Sequence, residues 1–349
     1  MFCTHPELAA KRAFSLKAVS RLLGKVRKVV TFFHESTIAH QTLAVKQEML
    51  DIPKHKLIYD VTTHWITIHD MLERYVEQQP AIHSAVLDKA VKKSAKDIAM
   101  LTDNELQLAE ELVQLLNPLK TMTTLLGSET SPTSSMILPL KTMALKSMAP
   151  GPEDSATIRE VKAAFTQDLE RRYKDADLLG YLHRATALDP RFKSLPFLHE
   201  ACFDRVYKDL VNKIVERELQ FEAVQCKRPS SSSPPQKKVT MSNLFGELFK
   251  VEEQAKPFSK IIEEEVTAYK MADCLHVDAD PFAWWKTNQS KFPHIAKLAQ
   301  QCLSVPGTCV ASERVFSTAG DIVSASRSRL ASENVDMLMF LQKNLNVEE

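Results

Sequence analysis

Apolar positions recur at helical spacing through most of this 349-residue chain. Val19, Leu22, Leu23, Val26, Val29, Val30 and Phe33 form one stripe, with Lys25, Arg27 and Lys28 mostly off it. A breaker at Pro53 precedes LIYDVTTHW, a short piece rich in β-branched residues that reads as extended. Helical period returns at Ile68, Met71, Leu72, Tyr75 and Val76. Residues 104–126 read as two helices broken at Pro118, with Asp103 as N-cap. SETSPTSS, residues 128–135, reads as a loop of turn formers. Further helices are predicted over 137–148, 158–173, 203–221, 241–249, 261–271 and 295–303, with a last one over 333–344. Asp189-Pro190 marks a fixed turn that Phe192, Leu195 and Phe197 dock.

Composition supports a mainly helical chain: only 7 glycines, and abundant Leu, Ala, Lys, Glu and Met. A net charge of +1 gives no general affinity for nucleic acid, so any DNA contact has to come from local patches. The 6 cysteines include no CxxC pair and read as free thiols of a reducing compartment. The N-terminus has no signal-peptide core, and no apolar run approaches the roughly 20 residues of a membrane span. At Cys226 the composition shifts to CKRPSSSSPPQKK, which cannot bury enough apolar area to offset ordering and reads as a disordered linker. Its flanking basic pairs, Lys227-Arg228 and Lys237-Lys238, have the form of a bipartite nuclear signal. No Gly-rich phosphate loop, HExxH, GxSxG or zinc-type Cys/His spacing occurs.

Four constellations hold candidate chemistry. In Ser312-Glu313-Arg314-Val315-Phe316-Ser317, Ser312 is placed to cap a helix carrying Glu313 in its first turn, with Glu313 reading as buried among small and apolar residues. The bland reading is an acid paired with a nearby arginine. Trp65, preceded by His64 and followed at a short interval by Met71-Leu72-Glu73-Arg74, reads as a core or boundary aromatic. Adjacent Trp284 and Trp285 cannot share one helix face, so one faces the chain's core and the other a second surface. On the last helix, Val335, Leu338, Met339 and Leu341 form a stripe with little polar cover, which docks on its own domain or on a second chain. Arg327 and Arg329 are candidates for phosphate contacts or for a solvated face.

The run from Val305 to Asn344 resembles the C-terminal dimerisation region of the hAT transposase family. The stretch 280–306, with Trp284-Trp285-Lys286 and Phe292-Pro293, is similar to that family's DPLxWWKxNxxxFP pattern. His64-Trp65 and Met71-Leu72-Glu73-Arg74 resemble its TRWNS…MLER signature, with His64 in place of the arginine. The family resemblance implies that Glu313 matches the last carboxylate of an Asp-Asp-Glu triad. It further implies that MFCTHPELAA follows the second aspartate, so that the chain begins after both. Asp51, Asp60 and Asp70 are available acids outside the family's strand context. Three carboxylates hold two Mg²⁺ ions in such a site, and one alone does not.

The expectations are therefore as follows. The fold is all-α: a helical insertion domain plus the C-terminal helical remnant of an RNase H-like transposase core lacking its sheet. Domains are N-terminal helices at 1–56, the insertion domain at 57–225, the linker at 226–240, connecting helices at 241–279 and the dimerisation region at 280–349. Trp65, His64, Arg327 and Arg329 are DNA-contact candidates. Trp284, Trp285, Val315, Phe316, Val335, Leu338, Met339 and Leu341 are dimerisation candidates. No catalytic residue, metal ligand or cofactor is assigned. The implied protein is related to the BED-type zinc-finger proteins but has no BED finger in this chain. It is non-catalytic and nuclear, and forms a homodimer or a heterodimer with related proteins. DNA is reached through a partner or local patches, with no membrane and no small-molecule substrate. The alternative is a fragment of an active Mg-dependent transposase missing its N-terminal catalytic strands.

Overall fold

The computed structural model describes residues 4–61, 64–128, 130–225, 257–308, 310–323 and 330–345. The helices are α1 (Thr4–Phe14), α2 (Lys17–Glu35), α3 (Thr37–Met49), α4 (Trp65–Leu87), α5 (Asp103–Leu126), α6 (Ile137–Ser147), α7 (Ala156–Arg172), α8 (Ala176–Ala187) and α9 (Glu200–Gln225). They continue with α10 (Phe258–Met271), α11 (Pro281–Asn288), α12 (Pro293–Leu303), α13 (Val310–Ile322) and α14 (Ser332–Asn344). No strand occurs among the described residues, and the fold is all-α. Of the piece 57–65 read as extended, residues 57–61 and 64 are irregular chain, and Trp65 already begins α4. The predicted linker, its basic pairs and the helix at 241–249 lie outside the described residues, as do Cys3, Arg327 and Arg329.

Two compact units divide the chain: residues 1–179 with 306–349, and residues 180–305. In the first, the α2 stripe read from the sequence is buried in full, from Val19 to Phe33. Around it α3 packs on α4, α4 on α5, and α1 on α7. A buried amide pair closes the α3–α4 connection: Gln47 Nε2 donates to Gln78 Oε1 at 2.7 Å and to the His55 carbonyl at 2.9 Å. Gln78 Nε2 in turn donates to the Pro53 carbonyl at 3.0 Å. Asp51 turns that connection through the left-handed region at φ 53°.

Two local expectations are corrected here. α5 runs unbroken through Pro118, because both halves bury one face: Leu112, Leu115 and Leu116 before it, Leu119 and Met122 after it. That burial outweighs the roughly 3 kcal/mol penalty of a helix-interior proline. Its N-cap is Thr102, not Asp103, and Thr102 forms a capping box with Glu105. Lys25 and Arg27 are drawn into ion pairs at this end of the unit, with Glu105 at 2.7 Å and with Asp60 at 2.6 Å.

The second unit is organised by the segment Leu188-Asp189-Pro190-Arg191-Phe192-Lys193. Asp189 is fully buried and accepts from Arg191 through Nε at 3.0 Å and Nη2 at 2.8 Å. In such a buried fork-to-carboxylate pair each partner is satisfied by the other, which offsets the cost of taking two charges out of water. Lys193 is also buried; its Nζ donates to the Tyr269 carbonyl at 2.8 Å and to the Ala272 carbonyl, capping the C-terminus of α10. Burial pushes its ammonium below the ordinary lysine value. Leu195 follows at φ 43° and is buried.

Candidate functional site

The C-terminal site begins where the chain re-enters the first unit at residue 306. The loop predicted at 128–135 is not a solvent loop, since Thr133, Ser134 and Ser135 are buried. It receives the returning chain. Gly307 N donates to Thr133 Oγ1 at 2.8 Å, and Thr308 Oγ1 donates to the Leu126 carbonyl at 3.2 Å. Arg314 Nη1 donates to the Gly127 carbonyl at 3.3 Å. Gly307 is there for space: a Cβ on it would lie 2.9 Å from the Thr133 carbonyl oxygen, whereas one on Gly127 would make an ordinary 3.5 Å contact with Arg314 Nη2.

Beyond this anchor α13 and α14 pack on each other and leave apolar side chains in water. Phe316 is 76% exposed, Phe340 65% and Met337 61%. Val315, Val323, Leu338, Leu341 and Leu345 are exposed as well, while Val335 and Met339 are half-buried. No residue of α14 is buried. A contiguous apolar face of this kind on a folded unit marks an interaction surface. The sequence stripe named Leu338 and Leu341 but missed Met337 and Phe340. Those two lie three residues apart and beside Leu341 around the helix, so they widen the apolar face beyond the stripe read from the sequence.

Glu313 sits in the first turn of α13, but it is exposed rather than buried. Ser312 is inside the helix, which starts at Val310, so it does not cap it. A two-metal site needs further carboxylates beside Glu313. Among the described residues, the one grouping of ligand-type side chains close enough to share an ion is His69, Asp70 and Glu73. That grouping does not include Glu313 and already holds a cation: Lys120 Nζ lies 2.7 Å from Asp70 and 3.6 Å from Glu73. Burial pushes the Asp70 carboxyl up, but hydrogen bonds from Lys120 and His69 prevail and hold it below the ordinary carboxylate value. Asp60 is bound by Arg27, and Asp51 forms the tight turn described above. Among the described residues, no grouping of three ligand-type side chains includes Glu313.

At the start of α4, Trp65 is 3% exposed and belongs to the core. A ring so placed offers no face to an extruded base without opening the helix end. His64 is exposed at the N-cap and makes no side-chain cap there. The turn is held instead by Thr67, whose Oγ1 accepts from Val61 N at 2.7 Å and donates to the His64 carbonyl at 2.7 Å.

The tryptophan pair lies in the second unit. Trp285 is buried, donates through Nε1 to the Leu188 carbonyl at 3.0 Å and stacks on Tyr269 at 5.3 Å. Trp284 is half-buried, with its ring parallel to Phe292 at 6.2 Å. Both belong to one internal cluster, so the two-surface expectation is corrected: Trp284 packs with its neighbour rather than opposite it.

Two family models match parts of the chain. The family model described as the hAT family C-terminal dimerisation region matches residues 265–345. The model described as the ZBED1 RNase-like helical domain matches residues 12–115. The chain is 27% identical over 95% of its length to zinc finger BED domain-containing protein 4 of Homo sapiens. It is 23% identical over 93% of its length to a putative AC transposase of Zea mays. Zinc finger protein 618 of Homo sapiens is 24% identical over 72% of the chain. The chain spans 28%, 41% and 25% of those three proteins. The chain is therefore similar to hAT transposases and to BED-type zinc-finger proteins, and its residues 265–345 match the hAT family's C-terminal dimerisation region.

Proposed function

We propose that this chain is a non-catalytic, hAT-derived protein that self-associates through the exposed faces of α13 and α14. It forms a homodimer, or a heterodimer with related hAT-derived chains, and works in the nucleus beside DNA-bound partners. The observation that carries the reading is the uncovered apolar face, from Phe316 on α13 to Met337, Leu338, Phe340 and Leu341 on α14. Its place inside the matched dimerisation region supports the same reading. An obligate interface of this kind buries on the order of 2,000 Å² or more. Replacing Leu338→Asp with Leu341→Asp puts two carboxylates on that face, and sedimentation of the parent should give twice the mass of the variant. A parent and a variant that both sediment as monomers would sink the proposal.

The non-catalytic part rests on the sequence reading that only Glu313 matches an acid of the family's triad, and the similarity to BED-type zinc-finger proteins supports it. The matches to Zea mays putative AC transposases favour a second reading, in which the chain is part of a longer active enzyme. A Mg²⁺-dependent duplex-nicking assay on the chain separates the two. Nicking that disappears in Glu313→Gln supports the enzyme, and no nicking by the parent chain supports the proposal.

A further inference from the structure

A groove of ≈ 530 Å³ opens between α11 and α12 in the second unit, with Phe282, Trp285, Pro293, Ala296, Ala299 and Leu303 along it. Lys286 and Lys297 stand on its rim and are exposed. Lys286 pairs with no acid among the described residues.

The two points where the chain leaves and re-enters this unit border the groove. Lys297 lies 3.7 Å from Glu218 of α9, and α9 ends at Gln225, seven residues or about 10 Å further along the helix axis. On return, Phe258 at the start of α10 packs edge-on against His294 at 5.4 Å, next to Pro293 on the groove wall. Glu265 of α10 fixes His294 there, with Oε2 2.7 Å from Nδ1. Residues 226–256, outside the described ones, join these two points.

Within that stretch the sequence holds Met241, Leu244, Phe245, Leu248 and Phe249 at i, i+3, i+4, i+7 and i+8, with Glu247, Glu252 and Glu253 among and after them. This is the spacing by which an amphipathic segment reads a hydrophobic groove. Seven residues lie between Phe249 and Pro257, enough to span about 25 Å when extended. We propose that the segment 241–249 of the same chain is the occupant of the α11–α12 groove. Its apolar stripe covers Trp285, Ala296 and Leu303, and its Glu247, with Glu252 and Glu253 just after it, faces Lys286 and Lys297. Tethered at both ends beside the site, the segment acts at an effective concentration of ~1 mM, so an intrinsic Kd of ~100 μM keeps it about nine-tenths bound.

The test is hydrogen exchange of the α11–α12 amides in the full chain. In a Leu244→Asp, Leu248→Asp variant those amides should exchange about tenfold faster, the change expected from losing that occupancy. A synthetic peptide of residues 239–252 added to the variant should restore protection saturably, and Ala296→Arg in the groove should abolish that binding. Protection retained in the Leu338→Asp, Leu341→Asp chain supports the proposal and separates it from the self-association of α13 and α14. Equal exchange in parent and segment variant overturns it. So does protection that fades on dilution or in the Leu338→Asp, Leu341→Asp chain, which places a second copy in the groove.

Discussion

Substituting Gly307→Ala tests how the C-terminal helices are held. The position has no positive φ, so the argument is about space and not backbone freedom. A Cβ there meets the Thr133 carbonyl oxygen at 2.9 Å, the Thr133 carbonyl carbon at 3.0 Å and Ile137 Cδ1 at 3.2 Å. Two of those atoms are backbone, in a loop whose neighbours Ser134 and Ser135 are buried, so relief requires moving chain rather than a side-chain tip. Any retreat lengthens the 2.8 Å bond from Gly307 N to Thr133 Oγ1 and strains the adjacent Thr308 contact. Overpacking of this kind costs about 1–3 kcal/mol. For a unit of this size each kcal/mol lowers the melting midpoint by roughly 2–4 °C. The control is Gly24→Ala in the interior of α2, where a Cβ meets nothing within 4 Å. That change removes backbone freedom from the unfolded chain and should raise stability by about 0.5–1 kcal/mol. Thermal unfolding followed by calorimetry should move the two variants in opposite directions. Limited proteolysis should cut Gly307→Ala faster between residues 303 and 310. A Gly307→Ala chain that melts with Gly24→Ala, at or above the parent, would refute the close-packed anchor.

Three further outcomes are expected. Trp285→Ala empties the centre of the second unit and leaves the Leu188 carbonyl without its donor, at about 3–5 kcal/mol. The loss should appear in that unit's unfolding transition and leave the other unchanged, and two transitions shifted together would argue against independent cores. Burial pushes the Asp168 carboxyl up, but hydrogen bonds from Arg172 and Arg171 prevail and hold it below the ordinary carboxylate value. A depressed folded-state pKa gives stability that is complete above about pH 4 and is lost as pH falls through the folded value. Asp168→Asn should therefore be less stable at pH 7 and flatter between pH 5 and 2, and equal pH slopes would remove the argument. Glu313 lies three residues before Phe316, so a partner chain covering Phe316 also desolvates Glu313. Glu313→Gln should leave the self-association constant equal or tighter, and a tenfold weakening measured by sedimentation would contradict that placement.

The α2 stripe was legible because its seven apolar residues sit at the spacing of one face, and burial follows the face. Residues 104–126 were legible as helical, but the break at Pro118 was not real: packing on both sides of a proline is a tertiary fact that local propensity does not hold. Residues 128–135 read as a loop of turn formers, and nothing local says which of them are buried. Thr133, Ser134 and Ser135 are buried, and Gly307, 174 positions further on, comes back to Thr133. Trp284 misled for a related reason. Adjacent residues on one helix point apart, but Tyr269 and Phe292 close round both rings. Glu313 was assigned from its motif neighbours, and a motif does not report solvent exposure.

The matched dimerisation region divides into two parts with opposite surface economies. From Glu265 to Leu303 its aromatic residues turn inward: Tyr269, Trp285 and Phe292 are buried, and the polar atoms of Tyr269 and Trp285 reach carbonyls of the α8–α9 connection. Nothing in that stretch requires a second chain to bury its largest rings. From Val310 to Leu345 the balance is reversed. Ile322 is buried and Gly307, Thr308 and Arg314 tie the segment down, but Phe316, Met337 and Phe340 remain in water. Full burial of side chains of this size stabilises by about 1.5–3 kcal/mol each. The unit forgoes that gain when alone, which is the physical reason to look for the association at α13 and α14 and not at the tryptophans. The Trp pair then bears on self-association only indirectly, by holding together a unit whose own groove remains to be filled.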